Sequence, residues 1–314
     1  MRLPRLQPAQ PEARKGAGDL MAWISELIGR GRFLSVELWP PRSPEAERRL
    51  EQVLLELAPL APAFTSITYG AGGSTRERTH ELVVRLREEG KTTPMAHLVC
   101  AAHSRAELVT ILERYRDAGV ENILAIRGDP PLDSTQALAP GELEHAVDLA
   151  ALAKDVGPFC VAVAAHPGGH PDSPDLRTDR RWLAEKMQVA DFAITQFFFE
   201  LADYLRLVDD LAKLGVDKLV VPGIMPITNP RTVAKMAQLS GTEVPRRIAE
   251  RIEAVADLPD EVRKIGVEVA VELGAGLLES GAQGIHLYTM NQAAATLEIA
   301  ASLGLGGEPE RSGR

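Results

Sequence analysis

Eight short apolar runs recur along this chain, and nearly every one stops at a side chain able to do polar chemistry. The runs cover 33–36, 65–67, 94–96, 123–126, 159–165, 192–195, 219–224 and 285–287. They stop at Glu37, Thr68 with Tyr69, His97, Arg127-Gly128-Asp129, His166, Gln196, Met225 and Tyr288. A carboxyl such as Glu37 in a partly dry cleft can hold a raised pKa suited to proton transfer, or it can be half of an internal ion pair. Asp129 can accept two N–H donors in one plane, or it can open the turn at Pro130-Pro131. Gln196 reads as a recognition amide or a buried strand cap, and a lone histidine such as His97 is ordinarily just hydrogen-bonded in place.

The sharpest local stretch is Ser66-Ile67-Thr68-Tyr69-Gly70-Ala71-Gly72-Gly73-Ser74-Thr75-Arg76-Glu77-Arg78-Thr79. Small residues let a ligand approach the backbone, and Ser74 or Thr75 would cap a helix whose N-terminus favours anions. A cofactor phosphate and an unoccupied tight turn explain the glycines equally well. Neither a Walker A motif nor a GxGxxG between strand and helix is present, which argues against P-loop and Rossmann nucleotide sites.

The elements that must position these residues follow from the spacing. Each pair of runs is separated by enough chain for a crossover helix, which predicts βα units around a parallel sheet. Eight units make a (β/α)₈ TIM barrel, whose active sites lie at the C-terminal strand ends. Ser43-Pro44-Glu45 is a helix start with a capping side chain, and Ser104-Arg105-Ala106-Glu107 is a capping box. The long stretch between runs seven and eight predicts extra helices near 231–239, 244–255 and 260–278, on or beside the barrel mouth. Pro4, Pro8 and Pro11 mark residues 1–31 as a partly disordered extension with one helix near 20–28. The barrel is expected over 32–305, followed by a polar tail at 306–314.

With 314 residues the chain is long for one domain, but α/β barrels commonly reach about 250 residues undivided. Forty-four acidic against 35 basic residues give a net charge of −9, which argues against a nucleic-acid or membrane-surface partner and for a small molecule. Cys100 and Cys160 form neither a metal-ligand spacing nor a disulfide framework, so no metal is expected and a reducing cytoplasm fits. No apolar stretch is long enough to span a bilayer, and residues 1–15 lack an export signal's apolar core.

Six ordered motifs together resemble the methylenetetrahydrofolate reductase family over nearly the whole predicted barrel. They are Ser35-Val36-Glu37-Leu38-Trp39-Pro40-Pro41-Arg42, the stretch from Thr68 to Thr79, Ala96-His97-Leu98, Leu124-Ala125-Ile126-Arg127-Gly128-Asp129-Pro130-Pro131, Ala193-Ile194-Thr195-Gln196-Phe197-Phe198-Phe199 and His286-Leu287-Tyr288-Thr289-Met290-Asn291. The resemblance implies reduction of 5,10-methylenetetrahydrofolate to 5-methyltetrahydrofolate in one-carbon and methionine metabolism. It implies NADH or NADPH as hydride donor and FAD as bound cofactor. Glu37 would be the acid that assists opening of the methylene bridge. Asp129 would hold the pterin and tune the cofactor, and Gln196 and Tyr288 would contact substrate. The dinucleotide would lie against Thr68, Tyr69, Gly70, Ala71, His97, Arg127, Gly128, Asp129, His170, Asp179 and Lys186. Relatives often assemble through barrel helices, which leaves a homo-oligomer open.

Departures from the family pattern cluster in the flavin set. His166-Pro167-Gly168-Gly169-His170 stands where many members carry Tyr-Pro-Glu, and His145 replaces a second tyrosine. The approach to run six near Lys186 is one residue shorter, Gln292 follows Asn291 in place of arginine, and Thr232 and Met236 replace frequent folate contacts. An alternative scheme therefore passes hydride directly from NADH to folate without a flavin. In an alternative of a different class, the barrel binds folate or nucleotide without catalysis.

Overall fold

The computed structural model describes residues 22–70, 75–128 and 141–307. Nine parallel strands curl into a nearly closed barrel: β1 (Phe33–Leu38), β2 (Thr65–Ile67), β3 (Pro94–Val99), β4 (Asn122–Ile126), β5 (Cys160–Ala165), β6 (Phe192–Thr195), β7 (Val220–Val221), β8 (Gly223–Ile224) and β9 (Gly284–Tyr288). A short helix, α1 (Ile24–Ile28), precedes them. The crossovers are α2 (Pro44–Leu57), α3 (Arg76–Glu89), α4 (Arg105–Asp117), α5 (Ala146–Val156), α6 (Leu176–Val189) and α7 (Leu201–Lys213). Then come α8 (Pro230–Ser240), α9 (Arg246–Glu253) and α10 (Pro259–Glu279) before β9, and α11 (Ala293–Leu303) after it.

The strand order is β7-β6-β5-β4-β3-β2-β1-β9-β8, and the two ends of that order are neighbours in sequence. The run expected as one strand at 219–224 is thus two short strands. Pro222 has no N–H to donate, so the ladder breaks there. β7 pairs with β6, β8 pairs with β9, and the Pro222 carbonyl accepts from the His286 N–H at 2.9 Å. One kinked segment thereby joins both neighbours and closes the barrel. Gly223 is required at the kink, because a Cβ would lie 2.5 Å from the Thr195 carbonyl oxygen and 2.6 Å from the Tyr288 ring.

Strand alternation sorts the side chains into two layers. Leu34, Val36, Leu98, Ile123, Val161 and Val163 face the helices in the main core. Inside the barrel, the N-terminal end is apolar: Phe33, Phe64, Met95, Leu124, Cys160, Phe192 and Val221 pack with Ile24 and Ile28 of α1. This helix is a plug, tied by the Ile24 N–H to Asn122 Oδ1 at 2.9 Å. Burying each isoleucine contributes about 1.5–3 kcal/mol. One step toward the other end the interior turns polar, with His286 Nδ1 2.9 Å from Ser35 Oγ and its Nε2 3.3 Å from Ser66 Oγ.

The expected caps form. Ser43 Oγ accepts from the Ala46 N–H at 3.2 Å, and Ser104 and Glu107 make the reciprocal capping box. Thr75 sits at the N-cap of α3 without capping it through its side chain, since its hydroxyl donates to the Tyr69 carbonyl at 2.6 Å. The extra helices are present, and α8, α9 and α10 pack Val233, Ile248, Ile252 and Val262 against Phe197, Phe199, Met225 and Ile227. Among the described residues no helix is long and apolar enough to cross a membrane.

Candidate active site

β1 and β3 continue past their expected stops, so Glu37 and His97 stand inside strands. Period-two alternation turns both inward, and a polar side chain at the mouth gives the strand no reason to end. Glu37 is 9% exposed, and its Oε2 lies 3.6 Å from His97 Nε2. Burial holds the Glu37 carboxyl up at about 8 and pushes the His97 imidazole down to about 3. The contact therefore joins a protonated acid to a neutral imidazole near pH 7, because desolvation outweighs the attraction two charges would gain. His97 Nε2 is buried without a hydrogen-bond partner. The Trp39 side chain, a hydrogen-bonding influence at the end of β1, pulls the Glu37 pKa the other way.

Tyr288, at the end of β9, donates its hydroxyl to the Thr195 carbonyl at 2.6 Å and stands edge-on to His286 at 5.2 Å and Phe197 at 6.4 Å. Burial, with Glu37 nearby, keeps this phenol well above its ordinary pKa, so it stays neutral as a wall of the mouth. Gln196 Oε1 accepts from the Phe197 N–H at 3.0 Å, and its amide nitrogen has no protein partner among the described residues. Phe197 and Phe199 pack under the extra helices, whereas Phe198 stacks on Tyr204 at 5.9 Å.

At the turn after β2, the Thr68 N–H donates to the Leu38 carbonyl at 3.1 Å, and Thr79 Oγ1 donates to the Thr68 carbonyl at 2.9 Å. Tyr69 is buried with its hydroxyl 3.1 Å from His103 Nε2, so its side chain belongs to the core. Gly70 adopts φ +75°, the left-handed region. After β4, Gly128 has φ +99°, and a Cβ there would lie 2.3 Å from Val99 Cγ1. Ala71 and Asp129 lie outside the described residues.

The remaining rim residues form a braced cluster. Arg127 Nη2 donates to Asp172 Oδ2 at 2.6 Å. Asp179 accepts from the His170 N–H at 2.9 Å, from Ser173 Oγ at 3.1 Å and from Arg180 Nη1 at 2.8 Å. Arg180 also donates to the carbonyls of His166 and Pro167 at 3.0 and 2.6 Å. Asp179 is thus committed to holding the loop after β5. Lys186 donates to the Ala164 carbonyl at 2.7 Å, and burial draws its pKa down to about 8 against the pull of Asp179. His166 and His170 meet edge to face at 4.7 Å, and burial, reinforced by His170, pushes His166 down to about 3. His145 is exposed at the N-cap of α5.

The sequence reading gives no role to Arg180, Asp172, Trp39 or Asn291. Trp39 and Asn291 were visible only as members of the motifs around the acid and after the last strand.

Residues 25–304 match the model of the methylenetetrahydrofolate reductase family. The chain belongs to this family. It is 33% identical over 283 residues to the 5,10-methylenetetrahydrofolate reductase of Pectobacterium carotovorum subsp. carotovorum, covering 90% of this chain and 93% of that one. It is likewise 33% identical to the Escherichia coli K12 enzyme over 87% of this chain and 90% of its relative. A maize methylenetetrahydrofolate reductase (NADH) is 31% identical over 90% of this chain and 50% of the plant protein. As a family member the protein is an oxidoreductase that reduces methylenetetrahydrofolate. A solved Clostridium thermocellum protein, described as binding two copies of 5-methyl-5,6,7,8-tetrahydrofolic acid, shares the fold at TM-score 0.64 and 14% identity, over 89% of this chain and 95% of that one.

Proposed function

We propose that this member reduces 5,10-methylenetetrahydrofolate with NADH or NADPH as hydride source, FAD as bound cofactor and Glu37 as the acid. The observation that carries this reading is Glu37 itself, a carboxyl kept protonated at neutral pH at the mouth of a barrel. Opening the methylene bridge breaks a carbon–nitrogen bond, and the departing nitrogen needs a proton. Glu37 supplies it, and hydride then converts the remaining iminium to a methyl group. The amide nitrogen of Gln196, without a protein partner among the described residues, and the sequence position of Asp129 suit the donors and acceptors of a pterin edge. Tyr288 and Phe197 form an apolar wall that keeps water from the iminium.

The residues present fit a redox cofactor ring: among the described residues His97 Nε2 is buried with no hydrogen-bond partner, and the buried Lys186 ammonium donates to the Ala164 carbonyl. His97, Lys186 and the turns at Gly70 and Gly128 would hold it. When bound, FAD supplies a two-electron store between nicotinamide and folate. The packing of His166 against His170, where the family pattern has an aromatic contact, favours the second reading, direct hydride transfer from nicotinamide to folate.

An absorbance spectrum of the purified protein, with NADH oxidation assayed in the presence of methylenetetrahydrofolate with and without added FAD, separates them. Flavin bands with FAD-dependent turnover are expected. A colourless protein that turns over without FAD overturns the flavin reading, and a colourless, inactive one favours the binding barrel.

A further inference from the structure

The ladder between β6 and β7 runs out at Ile194 and Val221, since Pro222 brings no N–H to continue it. Thr195, fully buried at the end of β6, takes over with its side chain: its Oγ1 accepts from the Gly223 N–H at 2.8 Å. The carbonyl of the same residue accepts from the Tyr288 hydroxyl at 2.6 Å. Thr195 therefore grips β8 and β9 at once, across the break between β7 and β8. The three groups fit without slack, because a Cβ on Gly223 would lie 2.5 Å from the Thr195 carbonyl oxygen, 2.6 Å from the Tyr288 ring and 3.0 Å from its hydroxyl. Tyr288 in turn stands in register beside Glu37 on the neighbouring strand β1.

We propose that Thr195 is the positioning residue of Tyr288: its carbonyl takes the phenol's one proton and its hydroxyl holds Gly223 clear of the ring, so that Tyr288 meets the folate as a fixed hydrogen-bond acceptor and not as a proton donor. This rests on the reading in which Tyr288 contacts the folate and Glu37 is the acid. A tyrosine hydroxyl has one O–H to give, and at 2.6 Å from a carbonyl oxygen that proton is committed. What the phenol oxygen still offers the mouth is lone pairs, which suit an N–H of the ligand. The neighbouring Glu37 carboxyl is left as the proton source. Without the Thr195 hydroxyl the buried Gly223 N–H loses its partner. An unpaired buried N–H is costly, so β8 shifts to find another acceptor and the ring packed against Gly223 shifts with it.

The test is steady-state kinetics with methylenetetrahydrofolate on the full chain, for the parent, Thr195→Val, Thr195→Ser, Tyr288→Phe and the double variant Thr195→Val/Tyr288→Phe. Valine keeps the branched shape of threonine and lacks the hydroxyl, whereas serine keeps the hydroxyl. Thr195→Val is expected to raise KM for the folate about tenfold with kcat down less than about threefold, and Thr195→Ser to return KM to within about twofold of the parent. Tyr288→Phe is expected to raise KM by a like amount. Both changes break one coupled contact, so the double variant should be no worse than the singles, whereas independent effects would multiply to about a hundredfold. The proposal is overturned by a multiplied KM in the double variant, by a Thr195→Ser as poor as Thr195→Val, or by a Thr195→Val that lowers the urea midpoint and leaves KM alone. It is also overturned by a Tyr288→Phe whose kcat drops about 10²–10⁴-fold, the loss expected of a missing proton donor. Should Thr195→Val not fold, Thr195→Cys, with only a weak acceptor, takes its place in the cycle. Glu37→Gln separates the two readings: if it keeps turnover while the cycle stays non-additive, the acid assignment falls and the positioning of Tyr288 stands.

Discussion

At the scale of single residues, the site depends on burial setting protonation more than on charge pairing. Glu37 and His97 stand 3.6 Å apart, a distance that on the surface would mean an ion pair. Here burial moves the acid to about 8 and the base to about 3, so each keeps its neutral form. Glu37→Gln should therefore lower turnover by about 10²–10⁴-fold while methylenetetrahydrofolate still binds, measured by steady-state kinetics beside equilibrium titration. Turnover within about threefold of the parent would remove Glu37 from the mechanism. Sequence alone left Glu37 open between acid and ion pair, because no local pattern states how dry a position will be. Tyr69 shows the same limit from the other side, since its place in a conspicuous turn gave no hint that its ring lies in the core with His103.

At the scale of elements, the kink between β7 and β8 is what links barrel closure to the site. Pro222 ends one ladder, Gly223 begins the next, and the Tyr288 ring fits where a side chain on Gly223 would lie. Gly223→Ala must push either the Thr195 carbonyl or the Tyr288 ring aside. The expected cost is about 1–3 kcal/mol, seen as a lower urea midpoint at unchanged m-value, with a raised KM for the folate. A midpoint equal to the parent's would show that the close approach is not tight. The apolar run at 219–224 made this segment legible as strand but not as two strands. Breaking it required neighbours on both sides that claim different halves.

At the scale of the whole molecule, buried titratable groups set how stability depends on pH. His97, His166 and His286 are all pushed from 6.5 to about 3, chiefly by burial. Below pH 6.5 the unfolded chain binds protons that the folded one refuses, so each contributes stability that is present above 6.5 and lost as pH falls toward 3. Glu37 acts in reverse: its contribution is present below 4.5 and lost as pH rises to about 8. These four groups together place the optimum near pH 6.5, to be checked by urea unfolding from pH 4 to 9. Glu37→Gln should steepen the rise between pH 4.5 and 6.5 and flatten the fall from 6.5 to about 8, and a parent profile rising steadily to pH 9 would contradict the balance. The sequence by itself determined the βα alternation, the barrel, the caps at Ser43 and Ser104 and the family, because periodicity and motif order are local properties of the chain. Only the tertiary structure decided that Glu37 is dry, that Asp179 and Arg127 are committed to loop partners and that Asn291 grips Trp39, residues 252 positions apart. Desolvation and hydrogen-bond partnership are set by what packs from elsewhere in the chain, and no spacing along the sequence encodes them.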